Sequence, residues 1–224
     1  MTHYIEPAVE VTEDGSHTLL HPVLNDSYHS LRGAVGESRH VFIENGLKQS
    51  GKRRVKIFEM GFGTGLNALL TLEEAVSSGL NVEYHAIELY PVDPEIARTL
   101  NYADKNSSLY EYFMKIHYSP WGKKTIINDN FTLTKYNIPL AEMKFDTTFD
   151  IIYFDAFSPD TQPDLWTTEI FSEIYRHTST GGILVTYSAK GSVKRALRDA
   201  GFEVHRLPGA LGKRHMVRAI KQGI

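Results

Sequence analysis

Between Phe58 and Asn67 the chain reads Phe-Glu-Met-Gly-Phe-Gly-Thr-Gly-Leu-Asn, with three glycines at alternate positions between an apolar run and a helical pattern. Glycine at that spacing lets the backbone turn tightly and lets a ligand approach it closely. A strand that ends in such a loop and feeds a helix is the opening unit of a βαβ layer, and the rest of the chain continues the alternation. Strands are predicted at 55–60, 82–89, 125–127, 149–154 and 182–187. Helices are predicted at 66–77 (stopped by Gly79), after Pro94 in a first turn, at 167–177, and at 193–200 (ended by Gly201). These runs predict an α/β fold, a doubly wound and mostly parallel sheet with helices on both faces. Two last strand-like stretches, 203–207 and 215–220, are joined by a short loop and predict an antiparallel hairpin at one edge.

The first 50 residues read differently. Alternating segments within 7–24 surround Asp14-Gly15 and predict a hairpin, Asn25-Asp26-Ser27 predicts a turn, and 38–49 predicts a short helix closed by Gly51. With 224 residues the chain has room for about one and a half domains. The division expected is an N-terminal extension over 1–50 packed on a core over 51–224.

Three acids accompany the glycines. A dinucleotide fingerprint would need a third glycine at position 66, which is Leu66. The spacing is instead Glu59-x-Gly61-x-Gly63-x-Gly65, which resembles motif I of class I S-adenosylmethionine-dependent methyltransferases. A sulfonium cofactor carries no pyrophosphate, so the loop needs room for its amino-acid portion, and Glu59 can face the ammonium or fix the loop. Glu88 ends the next strand, 25 residues after Gly63, where a carboxylate can accept both ribose hydroxyls. Asp129, with Asn130, follows the strand at 125–127, where an acid can accept from an adenine amino group. Asn128-Asp129-Asn130 is equally a generic turn.

Phe154-Asp155-Ala156-Phe157-Ser158-Pro159 follows the most hydrophobic strand, so Asp155 is expected to project into the site. An acid followed by an aromatic and a proline suits methyl transfer to nitrogen. A cationic amine must first lose a proton, and a carboxylate can accept it. Phe157 could wall a flat base, while Pro159 would stiffen the loop. Cysteine is absent, so no disulfide, thiolate metal site or cysteine nucleophile exists. Methylation at C5 of a pyrimidine through covalent cysteine attack is thereby excluded. No metal site is expected.

Met60-Gly-Phe-Gly-Thr-Gly-Leu-Asn67, Asp155-Ala-Phe-Ser-Pro with Pro163-Asp-Leu-Trp166, and Ala200-Gly-Phe with Gly212-Lys-Arg-His-Met216 resemble the methyltransferase domain of the bifunctional tRNA wobble-uridine enzyme. Upstream, Asp26-Ser-Tyr-His-Ser30 and Glu37-Ser-Arg-His-Val-Phe42 fit the same family. The resemblance implies a Rossmann-like methyltransferase fold and methylation of the exocyclic amine of 5-aminomethyl-(2-thio)uridine to 5-methylaminomethyl-(2-thio)uridine. It implies that Gly61, Gly63 and Glu88 hold S-adenosyl-L-methionine, with Asp155 against the methyl and the amine; Glu59, Gly65, Asn67, Asp129 and Asn130 complete the expected cofactor site. Tyr28, Phe157, Pro159, Lys213 and Arg214 would meet the substrate. The chain reads as the stand-alone form, with no FAD expected and a separate FAD-dependent oxidoreductase as a functional link. Ala156 stands where the family commonly has glycine, and Gly212-Lys213-Arg214 is less basic than the family's turn.

The net charge of −3 argues against binding nucleic acid by bulk charge alone. From residue 189 on, nine Lys and Arg face two acids, a local +7 against −10 for the first 188 residues. A tail of that sign could follow tRNA phosphates, and Tyr28, Phe157 or Trp166 could stack on a flipped base. The N-terminus shows no signal-peptide pattern and no apolar run spans a membrane, so a cytoplasmic protein is expected. A small-molecule N-methyltransferase, an aminopropyltransferase on the same scaffold, and a non-catalytic cofactor-binding subunit are the alternatives.

Overall fold

A computed structural model describes residues 7–223. Eight strands form one sheet in the order β10-β11-β9-β8-β4-β5-β7-β6. They are β4 (Arg54–Met60), β5 (Asn81–Ile87), β6 (Thr125–Asn128), β7 (Phe131–Tyr136), β8 (Phe149–Phe154), β9 (Thr178–Thr186), β10 (Glu203–Pro208) and β11 (His215–Ile220). The five central strands run parallel. Their runs are apolar because both faces are covered; Phe149, Ile151, Ile152, Tyr153 and Phe154 of β8 are all buried. The predicted edge hairpin forms from β10 and β11, with β11 antiparallel to β9.

Helices α2 (Leu66–Ser78), α4 (Ser108–Tyr118) and the short α3 (Pro94–Ala97) belong to one layer, and α5 (Thr168–Arg176) and α6 (Gly191–Asp199) to the other. Each layer has its own core. Phe42, Leu69, Tyr84 and Phe113 pack on one face of the sheet, and Phe58, Phe154, Phe171 and Leu197 on the other. Local chemistry sets the boundaries. Asp93, Ser107 and Thr167 accept backbone N–H groups at the starts of α3, α4 and α5, and Gly79 closes α2 in the left-handed conformation.

The second edge departs from the sequence reading. The strand at 125–127 is not a parallel member of the sheet. It is β6, antiparallel to β7, and β7 is the strand that pairs with β5. Phe131–Tyr136 contains a buried lysine, Lys135, which masked it as a strand, and aromatic-rich α4 was likewise missed.

The N-terminal part forms a separate three-stranded sheet, β1 (Ala8–Val11), β2 (His17–His21) and β3 (Asp26–Ser27). The hairpin around Asp14-Gly15 forms as predicted, whereas Asp26 and Ser27 pair with β2 instead of serving only as a turn. The helix begins earlier than predicted. It runs from α1 (Ala34–Ser38) into a π-helical segment, Arg39–Glu44, and a 3-10 turn, Leu47–Gln49.

The chain leaves β4, builds outward through β5 and β7, then returns to place β8 on the other side of β4. In such sheets ligands bind beyond the carboxyl ends of the strands where the winding reverses. Here that point is the glycine loop.

Candidate active site

A cavity of about 700 Å³ opens over that point. Its floor begins where β4 ends. Gly61 and Phe62 both donate backbone N–H to the Ile87 carbonyl, folding the loop across the end of β5. Gly61 has φ +89°, and a Cβ there would lie 2.6 Å from the Asp155 carbonyl oxygen. Only glycine lets the two loops approach this closely. Gly63, at φ +50°, donates its N–H to Glu88 Oε2 at 2.9 Å. Tyr90 N–H binds the other oxygen, Oε1, at 2.9 Å. Glu88 therefore accepts one backbone hydrogen on each oxygen and keeps lone pairs for a bidentate diol. Burial raises its pKa against those backbone bonds.

Asn67, in the first turn of α2, joins two acids. Its Nδ2 donates to Glu59 Oε1 at 3.0 Å and to Asp155 Oδ2 at 2.8 Å. Glu59 is fully buried, with the Tyr84 hydroxyl beside it. Burial, reinforced by the Asp155 charge, pushes Glu59 well above the ordinary carboxylate range. Burial likewise pushes Asp155 up to about 7; the Asn67 bond and Lys213 oppose the rise and Glu37 adds to it. A carboxyl pushed well up by burial thus stands behind another poised near neutrality, the environment of a proton acceptor.

The mouth is aromatic. Phe157 meets Tyr28 edge-on at 5.1 Å and His21 at 5.4 Å, and Tyr90 also meets His21. Thr161 donates to Asp26 at 2.7 Å, which ties the loop after β8 to β3. Ile138, Pro139, Leu140 and Ala141, following β7, form an apolar wall.

Of the residues predicted from sequence, Gly61, Gly63, Asn67, Glu88, Asp155, Tyr28, Phe157 and Lys213 line the cavity, and Glu59 lies directly behind it. Several do not. Asp129 and Asn130 form the β6–β7 turn at the opposite end of the sheet. Asn130 binds the Leu80 carbonyl and accepts from Val82, at the start of β5. Seven residues of β5 separate them from the loop, about 20 Å of strand. The error follows from taking β6 for a parallel strand; the segment after β7 occupies that place. Gly65 is a helix-cap glycine, and its missing Cβ would face His117 away from the cavity. Pro159 and Arg214 are outside the lining, and Trp166 is core, packed on Phe154 and bound to the Phe157 carbonyl. Sequence reasoning missed Glu37 and Tyr187. Glu37 opens a segment that fits the family but carries no assigned role, Tyr187 carries no local signal, and distant elements bring both to the cavity.

Among the described residues no group of three His, Cys, Asp or Glu could hold a metal, and no helix is long and apolar enough to cross a membrane. The glycine cradle, a diol-accepting carboxylate and the adjacent apolar wall fit an adenosyl group with a charged amino-acid arm.

Residues 122–222 match the family profile described as S-adenosyl-L-methionine-dependent methyltransferase. The tRNA 5-methylaminomethyl-2-thiouridine biosynthesis bifunctional protein MnmC of Pseudomonas fluorescens is 32% identical over 213 residues, covering 88% of this chain and 32% of that protein. MnmC of Cupriavidus metallidurans is 32% identical over 234 residues, covering 98% and 34%. The chain spans about a third of the length of these curated relatives. The crystal structure of MnmC2 from Aquifex aeolicus superposes with a TM-score of 0.81 and 25% identity over 100% of this chain and 73% of that one. Spermidine synthase of Thermotoga maritima, at 15% identity and a TM-score of 0.58, shares the fold. Similarity over nearly the whole length and a crevice at the switch point agree: the chain belongs to the S-adenosyl-L-methionine-dependent methyltransferases and is similar to MnmC.

Proposed function

We propose that this chain methylates the exocyclic amine of 5-aminomethyluridine, 2-thiolated or not, at the tRNA wobble position. The observation that carries the reading is Asp155, a carboxyl poised near neutrality at the floor of a cavity whose lining holds five carboxylates and one lysine. Such a cavity attracts a cationic amine and can then remove its proton. The names of the relatives supply the nucleoside.

Bound S-adenosyl-L-methionine supplies an electrophilic methyl group. Gly61 and Gly63 would leave space for its amino-acid portion, Glu88 would accept its ribose hydroxyls, and 138–141 would pack on its base. Asn67 pins Asp155 Oδ2, leaving Oδ1 to take the proton from the substrate ammonium, so that the nitrogen presents its lone pair. Phe157 and Tyr28 flank the entering base and exclude water.

The basic tail is the proposed phosphate contact, in reduced form. Lys213 points into the cavity, Lys190 pairs with Asp160, and Lys221 lies over Tyr175. Arg195, Arg198, Arg206 and Arg214 are exposed. A cytoplasmic setting and an FAD-dependent oxidoreductase that delivers the aminomethyl group belong to the same proposal.

The test is methyl transfer to tRNA from a strain lacking this modification, followed by nucleoside mass analysis. Appearance of 5-methylaminomethyl nucleosides, with activity falling steeply in salt, is the expected result. Their absence with cofactor-binding protein defeats the proposal, and a salt-insensitive reaction on a free amine would replace it with a small-molecule enzyme.

A further inference from the structure

We infer that Glu37 and Lys213 form an opposed charge pair that sets the protonation state of Asp155, acting as positioning residues for proton removal. The inference rests on the reading of Asp155 as the proton acceptor. Its structural basis is independent of which amine is the substrate.

Both side chains reach the cavity from outside the parallel sheet. Glu37 comes from α1 and is 8% exposed. Lys213 comes from the β10–β11 loop and makes an ion pair with it. The ammonium also lies 5.3 Å from the Tyr187 ring centroid, and the Tyr187 hydroxyl donates to the Ala156 carbonyl at 2.9 Å, next to Asp155. Lys213 is therefore fixed between an acid and an aromatic face. Its loop is tied down as well: Lys213 N–H binds the Ala210 carbonyl at 2.8 Å, Arg32 donates to the Leu211 carbonyl at 3.3 Å, and His40 binds the Pro208 carbonyl at 2.9 Å. A lysine meant only to sweep up phosphates would not be held this way.

The groups facing Asp155 come from every neighbouring element. Glu59 of β4 stands behind it, Asn67 of α2 holds one oxygen, and Glu88 stands at the end of β5. Tyr187 follows β9, and Asp26 of β3 acts on that tyrosine. Lys213 is the sole cation lining the cavity among the described residues, so it supplies the positive charge that keeps Asp155 ionisable. Glu37 moderates that cation. Without Lys213, burial and the Glu37 charge would hold Asp155 further towards its protonated form; without Glu37 it would ionise more readily and bind its proton more weakly. The Lys213 charge lowers the pKa of Asp155 and the Glu37 charge raises it.

The test uses two substitutions of opposite sign. Carbon-13 carboxyl NMR of aspartate-labelled protein, with Asp155→Asn to assign the resonance, reads the Asp155 midpoint without any substrate. Lys213→Gln is expected to raise it by about one pH unit, and Glu37→Gln to lower it by a similar amount. The double variant returns close to the parent, and Lys213→Arg retains the parent value. The acid limb of the kcat/KM profile for methyl transfer moves with the midpoint. Shifts in the same direction, or none, overturn the inference. So does an unmoved midpoint with a raised KM for tRNA and a shallower salt dependence, which would make Lys213 a phosphate contact. Opposite shifts in protein that transfers no methyl group would support the pair and refute the proposed reaction.

Discussion

The two sides of the glycine loop bury charge in opposite ways. In front, Asp155, Glu59 and Glu88 converge on a large cavity with hydrogen-bonding capacity left over. Behind, Lys135 is as deeply buried, yet its ammonium donates to the His117 carbonyl at 2.8 Å and lies 4.6 Å from the Trp121 ring and 5.3 Å from the Phe62 ring. His117 in turn binds the Thr64 carbonyl at 3.0 Å, between Gly63 and Gly65. The rear cluster spends its charge on holding the loop, and the front cluster holds charge in reserve for a ligand. Burial alone does not mark a site; unspent valence facing a cavity does.

Breaking the front should cost the most. Asp155→Asn is expected to lower turnover by about 10²-fold or more while cofactor affinity, by titration calorimetry, changes little. Because the native pKa of Asp155 is raised from 3.8 to about 7, its ionisation opposes folding as pH rises through that window. The same variant should therefore unfold at higher denaturant at pH 8, on the order of 2 kcal/mol more stable. Loss of turnover without that gain would mean the carboxylate is not strained in the fold.

Gly61→Ala comes next. Its Cβ would collide with the Asp155 carbonyl at a positive φ, and about tenfold weaker cofactor binding with a lower melting temperature is expected. At the rear, Lys135 is lowered from 10.5 to about 8 by burial, so the unfolded chain binds the extra proton and stability should climb between pH 8 and 10.5. Lys135→Met should flatten that climb in urea titrations and leave methyl transfer within about twofold. A large loss of turnover would erase the contrast between the two sides. The smallest effect belongs to Asp129→Ala, for which cofactor affinity should be unchanged; a tenfold fall would return the adenine contact to the β6–β7 turn.

What could be read from the sequence was whatever lies within one strand–loop–helix unit. Gly61, Gly63, Asn67 and Glu88 are neighbours along the chain or one strand apart, so their spacing carries their geometry. Asp129 failed because a residue's end of the sheet depends on strand direction, and the polar alternation of Thr125 to Tyr136 does not reveal that it folds back. Lys135 made a central strand look like a surface one. Glu37, Tyr187 and the inward turn of Lys213 were unreadable for a different reason. Their meeting depends on how α1 and the last hairpin cross the ends of the sheet.

The ties that complete the cavity have a consequence for its assembly during synthesis. Asp26 waits for Thr161 across 135 residues, His40 for Pro208 across 168, Glu37 for Lys213 across 176, and Arg32 for Leu211 across 179. Earlier segments are thus completed by segments far downstream, and contacts so distant along the chain form slowly. While the ribosome is still working, β4, β5 and their glycine loop can pair, but the mouth and the lysine that tunes the acid have no partners. A nascent chain can hold the cradle of a methyltransferase well before it can hold the charge balance of one.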